Sequence, residues 1–378
     1  MKTDKLFLLG ERAAAGRVRG IFALALAVLL SAPRAALAKS PGTTAFNFLK
    51  IGAGARQMAM ANNAVATDGD VNSSAYNPAA LANLSQQEVG FLHTEWLEDI
   101  TYQYAAYAYP HARYGTFAVG LHRLSFGTIE GYDRNDVRTA NPKASDLAVG
   151  FTYAGSIGRD LSLGLTARHI REDLAVATAK AFAFDLGAIY RTPGEDWWSR
   201  FDYGLAVRNF GTKAKFIQES SPLPLQVDGG IAYRDWNDRI HASLEAHKPD
   251  DGDLYLSFGG EVSVRNAFHL RAGYRTGRDI GPGFTLGAGM EFLDENLSLD
   301  YAFVPFEEFG NVHRVGMVYR FGGAVAKSFK KGVKLMRTGR CAEAILEFDR
   351  VLQKDPRHAL AARYMKYCAQ KIQEVEEP

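Results

Sequence analysis

The chain has 378 residues, with 44 Lys and Arg against 42 Asp and Glu, 47% hydrophobic side chains and two cysteines. So even a balance, with no basic block, argues against a nucleic-acid partner. Beyond the first forty residues no stretch of 18 apolar residues occurs, so no membrane-spanning helix is expected there.

The first 38 residues read as a leader. Lys2, Lys5, Arg12, Arg17 and Arg19 precede the apolar run "IFALALAVLL", and Ala36-Leu37-Ala38 follows. A basic start, a ten-residue apolar centre and an A-x-A site predict a secretory signal peptide, residues 1–38. Ten apolar residues are too few to cross a bilayer. No cysteine precedes Cys341, so the cleavage site is not of the lipoprotein kind. Removing the six basic and two acidic residues of the leader leaves 38 basic and 40 acidic side chains, a formal balance of −2.

Residues 39–86 hold "GTTAFNFLKIGAGARQMAMANNAVATDGDVNSSAYNPAALANLS", rich in Gly, Ala and Asn and not strand-like throughout. "GAGARQ" lacks the third glycine and the βαβ context of a dinucleotide fingerprint. Asp68, Asp70 and Asn72 open like a calcium loop, but Ser73 and Ala79 stand where Gly and Glu are needed. Asn77-Pro78 reads as a turn.

From Glu88 to Phe321 the chain repeats one device: segments of 8–12 residues alternate apolar with small or polar, and stop at Gly, Pro, Asn or Asp. In "DLSLGLTARH", Leu161, Leu163, Leu165 and Ala167 share one face, with Ser162, Gly164, Thr166 and Arg168 opposite. In "GFTLGAGMEF", Phe284, Leu286, Ala288, Met290 and Phe292 oppose Thr285, Gly287, Gly289 and Glu291. About fourteen such segments centre near residues 92, 105, 119, 150, 166, 186, 206, 230, 243, 258, 272, 287, 300 and 316.

A soluble sandwich would share the alternation, but three features predict an all-β outer-membrane barrel of about 14 antiparallel strands over residues 87–322. The strand count is even, and each segment is long enough to cross a tilted bilayer. Connections alternate between long (126–144, 211–225) and short ("GRD", "RDWND", "LDEN"). Aromatics collect near segment ends: Tyr107, Tyr109, Tyr190, Tyr233, Tyr274, Phe292, Phe303, Tyr319 and Phe321. The final segment "VHRVGMVYRF" places Val315, Met317, Tyr319 and Phe321 on one face, the pattern of a barrel-closing strand. Charges expected on the inner face are Arg168, Asp185, Arg208, Asp228, Glu245, Glu261, Arg271, Arg275, Glu291, Asp300 and Arg320. Their mixed signs suggest a lattice of opposite charges filling a narrow lumen. The barrel shows no G-x-S-x-G, H-E-x-x-H or C-x-x-C, and His93 with Glu95 is an isolated pair. No catalytic site, cofactor site or metal site is expected, and the protein reads as non-enzymatic.

A segment such as 39–86, placed ahead of a barrel, has one natural destination, the lumen. Its "FLKIGAGAR" and "DGDVNSSAYNPAALA" resemble the PorV/PorQ family and, more distantly, FadL-like fatty-acid channels. Phe48, Leu49, Gly52, Gly54, Ala55, Arg56, Asn77, Pro78, Ala79 and Leu81 carry the likeness. Three positions depart from it: Ala80 for Gly, Tyr76 for Trp, and Met60-Ala61 for Met-Gly. The resemblance implies an N-terminal hatch inside the barrel, and a part in protein export or surface attachment linked to type IX secretion, with cargo or secretion-machinery partners. The alternative it implies is a FadL-like channel for hydrophobic small molecules, with Asn77-Pro78 near the binding region. A third role is a structural barrel that tethers the outer membrane. Small, charged inner faces favour the first.

From Lys327 the period becomes helical, and residues 323–378 predict a small tail. Gly332 takes the small early position of a tetratricopeptide-like unit, Leu335 follows, Ala344 and Phe348 form its A-x-x-x-F step, and Pro356 closes it. A lone unit cannot cover its own apolar face, so it should lean on the barrel, pair with a copy or receive a partner. With an even strand number and a periplasmic N-terminus, the tail is expected in the periplasm beside a periplasmic partner, with outer-membrane lipid around the barrel. If helices 340–353 and 358–373 pack antiparallel, Cys341 and Cys368 fall near each other, and a disulfide is expected between them in an oxidising compartment.

Overall fold

The computed structural model describes residues 42–376, except positions 68, 112, 128, 140, 159, 176, 194–196, 236–238, 265–266, 278–280, 294 and 355–358. The leader and Pro356 lie outside the described residues. The chain divides into two compact units: residues up to 83 together with 88–319, and residues 84–87 together with 320 onward.

Fourteen antiparallel strands close into one barrel, and each connects to its neighbour in sequence. They are β1 (Gln87–Glu95), β2 (Thr101–His111), β3 (Gly115–Ser125), β4 (Ala144–Ile157), β5 (Leu161–Leu174), β6 (Ala177–Arg191) and β7 (Phe201–Gly211). The second half comprises β8 (Gln226–Arg234), β9 (Ile240–Pro249), β10 (Tyr255–Val264), β11 (Phe268–Arg275), β12 (Phe284–Phe292), β13 (Leu297–Pro305) and β14 (Asn311–Phe321). Every segment centre read from the periodicity falls inside one of them. An even number of antiparallel strands brings the start of β1 and the end of β14 to the same rim. The longest connections, 126–143 and 212–225, lie at the other rim, where each carries a two-stranded hairpin, Gly131–Tyr132 with Arg138–Thr139 and Ala214–Phe216 with Glu219–Ser221. β4, β5 and β6 run to 14 and 15 residues, longer than expected, because alternation continues past the apolar band into Arg171, Asp173, Thr178 and Lys180.

The polarity is inside out. Side chains on one face of each strand are apolar and open to the surroundings, such as Phe151 at 53%, Leu270 at 61% and Val315 at 57% exposure. The opposite face holds Asp228, Glu245 and Arg314, each fully buried. A soluble sheet would lose free energy on both counts, whereas lipid outside and a polar packed lumen satisfy both. No helix among the described residues is long and apolar enough to cross a membrane; the strands do so. Of the expected rim aromatics, Tyr190 is buried. The connection after β6 instead carries exposed Trp197 and Trp198, packed around Phe201 and Tyr233, as an interfacial belt requires.

Residues 42–83 fill the lumen with short helical turns: Asn47–Lys50, Ala55–Ala59, Val71–Ala75 and Pro78–Asn83. The wall accommodates them with glycines. A Cβ on Gly164, Gly187, Gly204, Gly259, Gly273 or Gly287 would overlap Pro78, Asn77, Val65, Met60, Ala61 or Ala59 respectively. The small residues of the inner face are thus the space into which the hatch is packed. Ala80 lies in a right-handed 3-10 turn and needs no glycine. Ala61 does adopt a left-handed backbone, φ 56°, so the replacement of Met-Gly there carries the strain that glycine would avoid.

The second unit contains helices Ala324–Arg337, Cys341–Lys354 and Ala359–Glu376. Leu335, Ala344, Phe348, Val351, Ala361 and Cys368 form its buried core. Gly332 lies against the Phe348 ring, where a Cβ would stand 2.7 Å from Cε1, and Phe329 stacks on Tyr364 at 6.0 Å. The third helix therefore supplies cover that the helix pair alone lacks, and Phe348 is fully buried without a partner chain. Glu347, held below the ordinary carboxylate range against its burial by Lys331 and Arg350, bridges two of these helices. Cys341 and Cys368, expected to pair, are both buried beside each other and stand as thiols in this structure. Burial and the adjacent Cys341 thiol push Cys368 up to about 11, so native thiolate chemistry is suppressed.

Gly187→Leu should expel the Asn77 turn from the lumen while leaving the barrel closed. Limited proteolysis in detergent should then cut within residues 60–83, which the wild-type protein protects, while the heat-modifiable band of a closed barrel persists.

Candidate functional site: the hatch and its lumen cavity

Irregular backbone buried in a barrel leaves N–H and C=O groups that must find partners. Asn77 answers this most economically. Its Nδ2 donates to Val65 O at 2.7 Å and to the strand carbonyls of Ala188 and Leu205 at 3.2 and 3.3 Å, while Oδ1 accepts from Ala79 N at 3.0 Å. One side chain joins two hatch segments to β6 and β7. Pro78, Ala79 and Leu81 beside it are fully or almost fully buried.

Arg56 forks Glu261 of β10 with two 2.9 Å bonds, and Arg271 continues the chain from Glu261 to Asp300 at 2.5 and 2.6 Å. Burial alone would lower the Arg56 pKa, but the Glu261 carboxylate outweighs it and holds the guanidinium protonated. Arg168 likewise joins Asp185 and Asn209. Asp185 accepts the N–H of Asn209, whose φ of 58° marks the bulge where β6 and β7 slip register. The expected lattice of opposite charges is therefore present, and its members hold the hatch and the bulge.

The remaining expected positions divide by place. Phe48 and Leu49 are buried in the hatch, Gly52 is crowded by Asn62, Met58 and Tyr76, and Gly54 caps the Ala55–Ala59 turn at φ 82°. Val315, Met317 and Tyr319 face outward on β14, which ends at Phe321. Gly332, Leu335, Ala344, Phe348, Cys341 and Cys368 belong to the other unit.

Several anchoring contacts were not legible in the sequence, some of them made by charges expected on the inner face. Arg314 is fully buried, donates to Gly52 O at 3.0 Å and covers the Trp96 ring at 4.8 Å. Glu245 accepts the Val65 N–H at 2.7 Å. Lys50 and Thr44 both bind Asp251, in the connection after β9. His247 links Asp228 at Nδ1 (2.6 Å) to Ser257 at Nε2 (2.7 Å), and Ser257 reaches Asn63 Oδ1 at 2.5 Å. An Asp-His-Ser order is familiar from hydrolases, but here the single hydroxyl proton is directed to Asn63 and Ser257 is fully buried. The chain of bonds is a tether from wall to hatch.

A cavity of about 360 Å³ lies in the lumen toward the rim with the long connections. The hatch contributes Lys50, Asn62 and Tyr76 to its lining, and the wall contributes Arg208, His247, Tyr255 and Arg275. Burial pushes the Tyr76 phenol up, against the pull of Arg314 and Arg208; its hydroxyl donates to Asn62 Oδ1 at 2.9 Å. Among the described residues no cluster of His, Cys, Asp and Glu has the arrangement of a metal site.

Two outcomes follow from these tethers. His247→Leu leaves Asp228 to Arg208 and Gln226 but breaks the link to Ser257 and Asn63, and should cost ~1–3 kcal/mol, read as a lower midpoint for protease exposure of residues 60–66 in urea. Asp251 gives a pH dependence. Burial raises its carboxyl, but bonds from Lys50 and Thr44 hold it below the ordinary value of 3.8. With a depressed folded pKa, the tether contributes above about pH 3.8 and is lost as the pH falls through the folded value. Acid should therefore release residues 43–50 first, and Asp251→Asn should release them at neutral pH; hydrogen exchange checks both.

Comparison with known proteins agrees with this architecture. The toluene transporter TodX of Pseudomonas putida superposes with a TM-score of 0.51 at 14% identity, covering 71% of this chain and 98% of that one. The CymD monoaromatic hydrocarbon channel gives 0.50 at 12% identity, covering 71% and 98%. At such identities the likeness is one of fold, the FadL-like barrel. No curated protein sequence matches the chain. The family model described as type IX secretion system protein PorV matches residues 35–248, which span the hatch and β1 to β9. An inside-out barrel with a packed hatch, and a sequence match over more than half its length, give one conclusion: the chain belongs to the PorV family of outer-membrane β-barrels associated with type IX secretion.

Proposed function

We propose that this protein is a non-enzymatic outer-membrane component of type IX secretion that handles exported proteins at the barrel's rims and does not conduct them through its lumen. The observation that carries this reading is the hatch. Residues 42–83 occupy the lumen and are tied to the wall through Asn77, Arg56, Arg314, Glu245 and Asn63. An exported protein could not pass without breaking all of them. The polar lining also argues against the alternative, a FadL-like path for hydrophobic small molecules, because such a path needs an apolar pocket. The buried, already donating Ser257 hydroxyl supports the absence of hydrolase chemistry.

In this reading the rim shared by the start of β1 and the end of β14 faces the periplasm. The tail, which we read as a single tetratricopeptide-like unit with a third covering helix, presents a periplasmic docking module. Residues 39–86 act as the hatch, 87–322 as the barrel and 323–378 as the tail, behind a cleaved leader of residues 1–38.

Cells lacking the protein should retain type IX export substrates in the periplasm, while growth on long-chain fatty acids or toluene stays unchanged. The purified protein should show no conductance steps in planar bilayers. Normal surface display in the deletion strain, together with lost growth on a hydrophobic substrate, would reverse the two readings.

A further inference from the structure

Within the lumen cavity one cation differs from the rest. Lys50 is paired with Asp251, Arg168 with Asp185 and Arg208 with Asp228. Arg275, at the end of β11, has no carboxylate within ion-pair range among the described residues, and its buried Nε has no hydrogen-bond partner. Its guanidinium instead lies flat on the Tyr255 ring, with Cζ 3.6 Å from the centroid. Tyr255 in turn stacks on His247 with centroids 4.7 Å apart and planes at 21°. Asp228 fixes His247, and Arg208 fixes Asp228. The three planar groups form a column held from below, and the uppermost has its charge uncommitted.

A guanidinium stacked by its face keeps its N–H edges free, and those edges match the two oxygens of a carboxylate. The column prepays the ordering cost that a mobile arginine would pay on binding. The cavity's volume of about 360 Å³ suits a compact molecule. Its lining of Asn62, Tyr76, Arg208, Asn209 and Gln226 offers hydrogen bonds, beside a smaller apolar part that includes Leu49, Ile51 and Leu254. We propose that this cavity is a binding site for a small hydrophilic carboxylate, held by the edge of Arg275 with its remaining polar groups directed to Arg208 and Gln226. The site is separate from the export role and survives if that reading fails.

Calorimetric titration of the full-length detergent-solubilised protein tests it, with succinate as probe and neutral succinamide, inorganic phosphate and laurate as comparisons. Succinate should bind saturably, and succinamide should not. Arg275→Gln should weaken succinate by ~10-fold or more, as expected for lost charge-assisted bonds, and Arg275→Lys should fall between. Arg138→Gln, in an exposed hairpin of the 126–143 connection, should bind as the wild type. Heat-modifiable migration verifies that each variant has closed its barrel; the comparison of succinate with succinamide needs no variant. Equal binding of succinamide, no binding of succinate, or unchanged affinity in Arg275→Gln overturns the assignment. Phosphate or laurate displacing succinate at equal or lower concentration overturns the carboxylate class.

Discussion

The structure depends on one constraint: a segment of short helical turns joined by irregular backbone is buried where little water reaches its main chain. Every hatch N–H and C=O in contact with the wall competes against solvation that it has lost, and an unsatisfied buried amide costs ~1–3 kcal/mol. The wall meets that demand in two ways. Glycines on the inner faces of β5, β6, β7, β10, β11 and β12 let backbone approach backbone. Between them, Glu245, Thr285 and Arg314 supply donors and acceptors aimed at hatch main chain, and the hatch's own Asn77 adds more.

The same constraint explains why the lumen charges are mixed in sign. A single-sign lumen would line a pore; alternating signs neutralise each other and spend their remaining hydrogen bonds on the hatch. Arg56, Glu261, Arg271 and Asp300 form one such chain, and His247, Asp228 and Arg208 another. Removing Glu261 or Asp228, which each join two basic side chains, leaves a buried charge without its partner, so these networks resist displacement of the hatch. A lumen organised this way is a scaffold first, and any small molecule it admits must fit the polar space left over.

Function and stability therefore divide by location. The apolar belt and the Trp197–Trp198 corner face outward as a lipid-facing surface does, the hatch fills the centre, and in the proposed function the connections and tail are left to meet other proteins. The tail buries its own core through three helices around Phe348, Phe329 and Tyr364, so its outward surfaces are not needed for its folding.

Periodicity in the sequence by itself determined the strand number, the faces and the closing strand, because alternation of side chains is a local property of an extended backbone. The position of the non-strand segment ahead of the barrel likewise pointed it inside, and Gly332 with Phe348 was legible because the tetratricopeptide-like template sets a small residue of its first helix against the A-x-x-x-F step of its second. Only the tertiary structure decided which charges pair, since a partner across the lumen depends on register and closure that no local pattern encodes. His247, Arg314 and Lys50 read as ordinary strand and turn residues until the closed barrel brings Ser257, Gly52 and Asp251 to them. The lone stacked Arg275 became visible only when its neighbours were seen to be paired. Cys341 and Cys368 show the complementary case: helix spacing in the sequence already brought them together.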